Sequence, residues 1–208
     1  MTDILNIKNV SQFHGLLGLP APSHPLLSLI KDNEGIDHDA LDDGLFNIRF
    51  SLEMYSIMYK DKISGSIGYG RNTYDFQEGT LIFSRPGQVL TTPKRETLKG
   101  KEGWTLLFHP DLLRKSALGH KMDHYSYFNY EINEALHLSP KEETFILTLV
   151  HKIQEESTQN LDQHSQTLIV SNLELLLNYC MRNYDRKFYA RTNIHNDFVT
   201  EIETALKA

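Results

Sequence analysis

The residues that decide the fold run from Tyr69 to Leu113 and include YDFQEGTLIFSRPGQ at residues 74–88 and GWTLLFHPDLL at residues 103–113. Short apolar runs alternate here with turns that contain glycine or proline, at Glu78-Gly79 and Pro86-Gly87. This spacing is typical of the strands of a small antiparallel barrel. The sequence therefore predicts a barrel built around these two turns.

Upstream of this region the sequence also has the composition of strands. Phe46, Ile48 and Phe50 alternate with polar residues, which is the period of a half-buried strand. The predicted strands are residues 26–30, 45–50, 52–59, 66–69, 80–83, 88–91 and 104–108. The order of turns and strands is typical of a cupin-like antiparallel barrel, or jelly roll.

The period changes from two to about 3.6 after Pro110, which predicts helices. Ser139-Pro140-Lys141-Glu142 has the pattern of a helix start, with serine at the N-cap and proline at the first helical position. Further helices are predicted at residues 162–184 and from about Asn193. The predicted fold class is α+β, with a barrel followed by helices.

These patterns divide the chain into an N-terminal arm (residues 1–24), a barrel (residues 25–110) and a helical region (residues 111–208). Glycine and proline in the arm predict an extended segment that is mobile or folds over the mouth of the barrel.

Composition and charge exclude several classes of function. The net charge of −6 argues against DNA binding by this chain, because DNA-binding modules concentrate lysine and arginine on one face. The single cysteine, Cys180, cannot form a disulfide within the chain, which favours a reducing, cytoplasmic location. The N-terminus lacks the pattern of a signal peptide, and no run of apolar residues is long enough for a membrane span.

A metal-dependent cupin enzyme is the main alternative to a binding module, and the histidine pattern argues against it. No histidine lies between His38 and His109, and Gln88 stands where a metal-binding pattern would have histidine. His120 and His124 have the spacing of two ligands on one helix face, but no third ligand follows at a typical offset. We therefore predict no metal, no cofactor and no catalytic residues.

Aromatic and cationic residues in the predicted strands are the candidates for ligand binding. Aromatic walls can stack on a small molecule, and a cation can bind an anionic group. The same side chains are also compatible with core packing or with solvated charge. The predicted ligand-binding residues are Arg49, Tyr55, Met58, Lys60, Phe83 and Trp104. Together with the rest of residues 52–59, 81–83 and 104–108, they predict a largely apolar cavity.

Several of these segments resemble the AraC family of bacterial transcription regulators, and most closely its members in Bacteroidetes. The resemblance lies in residues 69–88, 104–113, 128–139 and 188–191, with the strings YDFQEG (residues 74–79) and NEALHLS (residues 133–139) the most specific in combination. It extends over about residues 25–206 and implies a cupin-like barrel that senses a small molecule, a helical dimerisation unit and a C-terminal pair of helix-turn-helix motifs.

A helix-turn-helix region would need further residues after Ala208. We therefore expect the chain to be an N-terminal fragment or a naturally truncated regulator that contacts DNA only through that missing region. Two functional hypotheses follow: an effector-binding and dimerisation domain, or a small cupin enzyme such as an isomerase or dioxygenase. A regulator that uses its barrel only as a scaffold is a third reading.

The helix predicted at residues 162–184 is apolar around roughly 240° of its circumference, by the geometry of 100° per residue. One side of such an arc can pack on the protein's own barrel, and the other side needs a partner. The simplest partner is the same helix of a second copy. The alternative to a dimer is that this helix is buried on most of its sides within a single chain. The predicted contact residues are Leu161, Leu168, Leu175 and Tyr179.

Overall fold

A computed structural model describes residues 4–32, 34–37, 40–60, 66–69, 72–75, 79–92, 94, 103–128, 135–159 and 162–206. For residues 66–69, 72–75 and 187–206 only the backbone is described. The fold is α+β, as predicted. The described strands are β1 (Leu5–Ile7), β2 (Leu27–Lys31), β3 (Arg49–Leu52), β4 (Tyr55–Lys60), β5 (Ser66–Tyr69), β6 (Asn72–Asp75), β7 (Thr80–Ser84), β8 (Val89–Thr91), β9 (Gly103–Phe108) and β10 (Leu136–His137). The described α-helices are α1 (Val10–Leu16), α2 (Ala117–Lys121), α3 (Pro140–Thr158) and α4 (Ser165–Leu206).

The strands form two sheets of five strands each. The first sheet has the order β1-β3-β8-β5-β6, and the second has the order β10-β7-β4-β9-β2. β1 pairs in parallel with β3, whereas the other strand pairs are antiparallel. The pairings among the described residues keep the two sheets separate, so a closed cupin-like barrel stays a prediction.

The N-terminal arm contains regular structure: residues 5–7 form a strand, and residues 10–16 form a helix, so the prediction of an extended segment was wrong for residues 10–16. Asn9 caps the N-terminus of α1, and its side chain accepts a hydrogen bond of 2.9 Å from the backbone N–H of Gln12. Ile7 and Val10 are buried against residues of both sheets. Burial of these apolar side chains stabilises an element that the neighbouring glycines and prolines appeared to exclude.

The start of α3 confirms the predicted helix cap. Glu142 accepts hydrogen bonds from the backbone N–H of Ser139 at 2.8 Å and from its hydroxyl at 2.6 Å. The bond from the Ser139 backbone is one half of a capping box, and the other half is the approach of the Ser139 side chain to the backbone N–H of Glu142. Ile146, Leu149 and Val150 then face the main core of the protein. The cap and the apolar period were both visible in the sequence, so this element was predicted well.

The helix after α3 is longer than the sequence predicted. α4 is one helix from Ser165 to Leu206, so the separate third helix predicted from Asn193 was wrong. Residues 185–192 contain neither glycine nor proline, and nothing there ends the helix. A helix of 42 residues is about 63 Å long at 1.5 Å per residue. The described helices include no segment long and apolar enough to cross a lipid bilayer.

Candidate ligand-binding and dimerisation surfaces

The second sheet has two faces of opposite chemical character. Its outer face packs against α3 and α4 and is apolar or aromatic. The outer-face side chains are Leu27, Tyr55, Ile57, Tyr59, Leu81, Phe83, Trp104, Leu106, Phe108 and Leu136. Its inner face is directed toward the first sheet, because Met58, Ile82 and Leu107 contact residues of β3, β8 or their flanks.

The inner face carries a series of buried polar side chains. By strand register, Ser56 lies opposite Ser84 and Lys60 lies opposite Thr80. The buried polar residues of this face are Ser28, Ser56, Lys60, Thr80 and Ser84. Buried polar side chains are costly unless they are hydrogen-bonded, so they are more informative than buried apolar ones. Their concentration on one face marks the space between the sheets as the candidate ligand site.

Each of these polar groups has a specific bond. The hydroxyls of Ser56 and Ser84 are 2.5 Å apart, and the Thr80 hydroxyl is 3.0 Å from Nδ1 of His137. Lys60 donates to the carboxylate of Asp32, which follows β2. The inner face therefore offers hydroxyls, an imidazole and an ammonium group, which together can orient a polar ligand.

Gln88 is a further buried polar residue, in the turn between β7 of the second sheet and β8 of the first sheet. The side chain is 5% exposed, and its Oε1 accepts a hydrogen bond of 3.2 Å from the backbone N–H of Arg85. Its Nε2 has no hydrogen-bond partner among the described residues. A buried donor without an acceptor is unfavourable, and a ligand can supply the acceptor.

The six predicted ligand-binding residues do not share one surface. Tyr55, Phe83 and Trp104 lie on the outer face, within the core that joins the sheet to the helices. Met58 and Lys60 lie on the inner face. Arg49 is exposed, at the start of β3. The structure thus brings Met58 and Lys60 together and separates them from the other four residues.

The outer-face aromatic residues have packing partners of their own. The ring centroids of Phe83 and Tyr127 are 4.2 Å apart, and Trp104 stacks on Tyr59 with ring centroids 5.7 Å apart. Tyr127 donates a hydrogen bond of 2.9 Å to the carbonyl of Leu177 in α4. Burial raises the pKa of the Tyr127 hydroxyl, which therefore remains a donor. These contacts connect the second sheet to α4.

The predicted residues included Lys60 but not Ser28, Ser56, Thr80 or Ser84, because they were chosen by side-chain type. The period of a strand separates them: residues 55, 57 and 59 must lie on one face, and residues 56, 58 and 60 on the other. The same alternation separates Phe83 from Ser84. Applied strand by strand, it would have identified Ser56 and Ser84 beside Lys60.

The predicted dimerisation residues lie on a surface that the rest of the described chain leaves uncovered. Leu168 and Leu175 are 45% and 42% exposed, and Phe145 of α3 is 40% exposed. The ring of Tyr179 packs against Phe145 at 4.2 Å. We call Phe145, Leu168, Leu175 and Tyr179 the apolar helix surface. Leu161 lies outside the described residues.

The rest of α4 is well buried on its other side. Ile169, Leu173, Leu176 and Cys180 are fully buried, which accounts for most of the wide apolar arc of this helix. Burial also raises the pKa of the Cys180 thiol. The helix therefore packs on its own domain, and Leu168 and Leu175 form a narrower exposed strip.

Within the part of the chain that the structure describes, no group of three or more histidine, cysteine, aspartate or glutamate side chains is arranged to hold a metal ion. His120 and His124, the pair with helical spacing, fall on different elements: His120 is in α2, and His124 ends a short 3-10 helix.

No protein-family model matches the sequence, and neither does any curated protein. Among solved structures, the AraC-like transcriptional activator CuxR is similar, with 10% sequence identity and a TM-score of 0.37. The alignment covers 76% of this chain and 49% of the CuxR chain, so the chain spans about half of that protein's length.

Proposed function

We propose that this chain is the effector-sensing and dimerisation region of an AraC-family bacterial transcription regulator, located in the cytoplasm. It binds a small polar molecule between its two sheets, without a metal or other cofactor and without catalysis. It forms a homodimer through the apolar helix surface. It controls a helix-turn-helix DNA-binding domain that lies outside these 208 residues.

The observation that supports this function best is the two-faced second sheet. Ser56, Lys60, Thr80 and Ser84 place polar groups between the sheets. The outer face of the same strands shares one continuous core with α3 and α4. A ligand that contacts the inner face is therefore one layer of side chains away from the helices that carry the apolar helix surface.

A thermal-shift screen with polar metabolite classes tests the ligand. A compound that binds only the folded chain stabilises it by about 2.7 kcal/mol at a hundredfold excess over Kd. We expect Lys60→Met to reduce this stabilisation, because Lys60 lies on the inner face. Arg49→Met is the matched control, since it removes an exposed strand cation and should leave the shift unchanged. Equal shifts in both variants would place the ligand elsewhere.

Lys60→Met leaves Asp32 without this partner, and loss of one member of a largely buried ion pair is destabilising. The double variant Lys60→Met/Asp32→Asn removes both charges, so the contribution of Lys60 to ligand binding can still be measured if Lys60→Met alone does not fold.

Elemental analysis separates the proposal from the enzyme alternative. We expect no stoichiometric transition metal, whereas one metal per chain, with an activity lost on chelation, would favour a small cupin enzyme.

A further inference from the structure

A cleft lies at the edge of the second sheet, between residues 19–24, β2 and the last turns of α3. Its volume is about 220 Å³. This is below the range of roughly 300–1,000 Å³ for pockets that hold drug-sized ligands. Of the buried polar residues of the inner face, Ser28 lines this cleft, whereas Ser56, Lys60, Thr80 and Ser84 do not. We call it the arm cleft.

One wall of the arm cleft is fixed by His14. Its Nδ1 donates a hydrogen bond of 2.6 Å to the carbonyl of Pro20, and its Nε2 is 2.8 Å from the hydroxyl of Ser28 in β2. These two bonds connect α1, residues 19–24 and the edge strand. The wall is therefore held in place before any ligand is present.

His24 gives the cleft a hydrogen-bond donor that no described residue engages. The residue is 8% exposed, and its Nδ1 accepts a hydrogen bond of 3.1 Å from the backbone N–H of Leu26. Burial lowers the pKa of the ring, which favours the neutral form. With Nδ1 acting as the acceptor, the proton of the neutral ring is on Nε2. No described residue accepts a hydrogen bond from this nitrogen, and the ring lines the cleft.

Gln154 gives the cleft a second polar group, a carboxamide that complements the donor of His24. Its side chain extends from α3, is partly buried and lines the cleft. The carboxamide offers both a donor and an acceptor. Among the described residues neither function has a side-chain or backbone partner. Two uncharged polar groups, from different elements, are thus available in the same cleft.

The charges around the cleft balance one another. Lys31 and Glu34 form an ion pair of 2.9 Å at its rim. The cleft also adjoins the C-terminal end of α3, where the helix dipole disfavours an anion. A carboxylate would face this negative end and Glu34. The same end of the helix favours a cation, but a cation cannot accept a hydrogen bond from Nε2 of His24 and would meet no unpaired carboxylate in the lining. An uncharged ligand with an oxygen acceptor avoids both costs.

We propose that the arm cleft binds a small uncharged molecule, whose carbonyl or hydroxyl oxygen accepts from Nε2 of His24 and whose amide or hydroxyl groups bond to Gln154. This site shares Ser28 with the effector site proposed between the sheets, but none of Ser56, Lys60, Thr80 and Ser84. Its existence does not depend on the proposed regulatory function.

Three probes of similar size and different charge test the ligand class: propionamide, propionate and propylammonium. They are titrated into chain labelled with ¹⁵N-histidine, and the ring nitrogens are followed by NMR. The chain has ten histidines, and the signal absent from His24→Asn identifies His24. We expect a saturable shift of Nε2 with propionamide and weaker effects of the two charged probes.

His24→Asn is the decisive variant, because an asparagine oxygen can still accept from the N–H of Leu26 but no donor remains at the position of Nε2. The affinity of this variant for propionamide is measured from the signals of the other histidines. It should be about tenfold lower than that of the native chain, as expected for the loss of one hydrogen bond. His109→Asn is the matched control, since Nδ1 of His109 accepts in the same way from the N–H of Asp111, at 3.2 Å. Its binding should equal that of the native chain.

Gln154→Met provides an independent variant if His24→Asn does not fold, and it should also weaken propionamide binding. Three results would overturn the proposal: no saturable shift with propionamide, tighter binding of a charged probe, or unchanged binding in the folded His24→Asn and Gln154→Met variants. None of these results bears on effector binding between the sheets, which Lys60→Met tests separately.

Discussion

Glu142 and Arg186, which are 44 residues apart in sequence, are joined by a charge-assisted hydrogen bond that connects the first turn of α3 to α4. The same carboxylate closes the capping box with Ser139. One side chain therefore serves the local stability of α3 and the contact between the two helices.

Replacement of Glu142 by alanine should destabilise the protein by about 1–2 kcal/mol, most of it from the lost cap. The Arg186 contact should contribute less, roughly 0.2–1 kcal/mol, because the arginine side chain is 63% exposed. A double-mutant cycle with Arg186→Ala, measured by urea unfolding, separates the two contributions. A coupling energy of zero would show that the bond between the helices adds no stability.

The Glu142 contribution should also depend on pH. Burial raises the pKa of this carboxyl, but hydrogen bonds from Ser139 and Arg186 outweigh burial and the pKa is lowered overall. The stabilisation is therefore complete above the unfolded pKa of about 4.3 and is lost as the pH falls below it, through the folded pKa. The stability difference between the native chain and Glu142→Gln should shrink over this acidic range.

Gly103 occupies a position where any side chain would collide with the sheet. A Cβ atom there would lie 2.5 Å from the carbonyl oxygen of Tyr59 and 2.6 Å from Oδ2 of Asp32. Gly103→Ala should therefore destabilise the fold by about 1–3 kcal/mol. Gly15→Ala in α1 is the control, because a Cβ atom there meets nothing within 4 Å and alanine favours the helix. The midpoint of thermal unfolding should fall for Gly103→Ala and rise for Gly15→Ala. An unchanged midpoint for Gly103→Ala would contradict the close approach of residue 103 to the carbonyl oxygen of Tyr59.

His24 should make stability sensitive to mild acid. Burial lowers its pKa below the ordinary value of 6.5, so the unfolded chain binds a proton at this site more readily than the folded chain. The stabilisation is complete above pH 6.5 and is lost as the pH falls through the lower, folded pKa. Urea unfolding between pH 7 and pH 5 should show a loss of stability that His24→Asn reduces and His109→Asn does not. Parallel pH profiles for the native chain and both variants would exclude His24 as the cause.

The features that the sequence predicted best are those that depend on neighbouring residues. Ser139 and Glu142 form a cap within a single turn, and the predicted strand at residues 66–69 coincides with β5. The arm was harder to predict, because β1 exists only through its pairing with β3, more than 40 residues later. Local composition contains little information about a partner so distant in sequence.

The candidate site was harder to predict than the fold, for a different reason. Tyr55 and Phe83 have the chemistry of a ligand pocket, but the same aromatic rings stabilise a core between a sheet and helices. Only the face of the strand separates the two roles. Ser56 and Ser84 looked unremarkable individually, and they became informative once the register placed them opposite each other in a buried position.

The apolar helix surface should form the interface of a homodimer. Leu168 and Leu175 are one heptad apart, and the exposed Phe145, which packs on the half-buried Tyr179, extends this surface toward α3. Contiguous exposed apolar side chains are unfavourable in water and mark interaction sites in soluble proteins. A two-fold axis beside α4 would place the apolar helix surface of a second copy against that of the first and remove both surfaces from water.

Light scattering of the double variant Leu168→Glu/Leu175→Glu tests this interface. We expect a folded monomer, because both side chains are exposed in the single chain and glutamate there costs little in the monomer. Thr144→Glu/His151→Glu is the control: both residues are exposed on α3, roughly 100° around the helix from Phe145. This control should remain a dimer. A double leucine variant that remains dimeric would move the interface elsewhere, and one that unfolds would show that these leucines belong to the core.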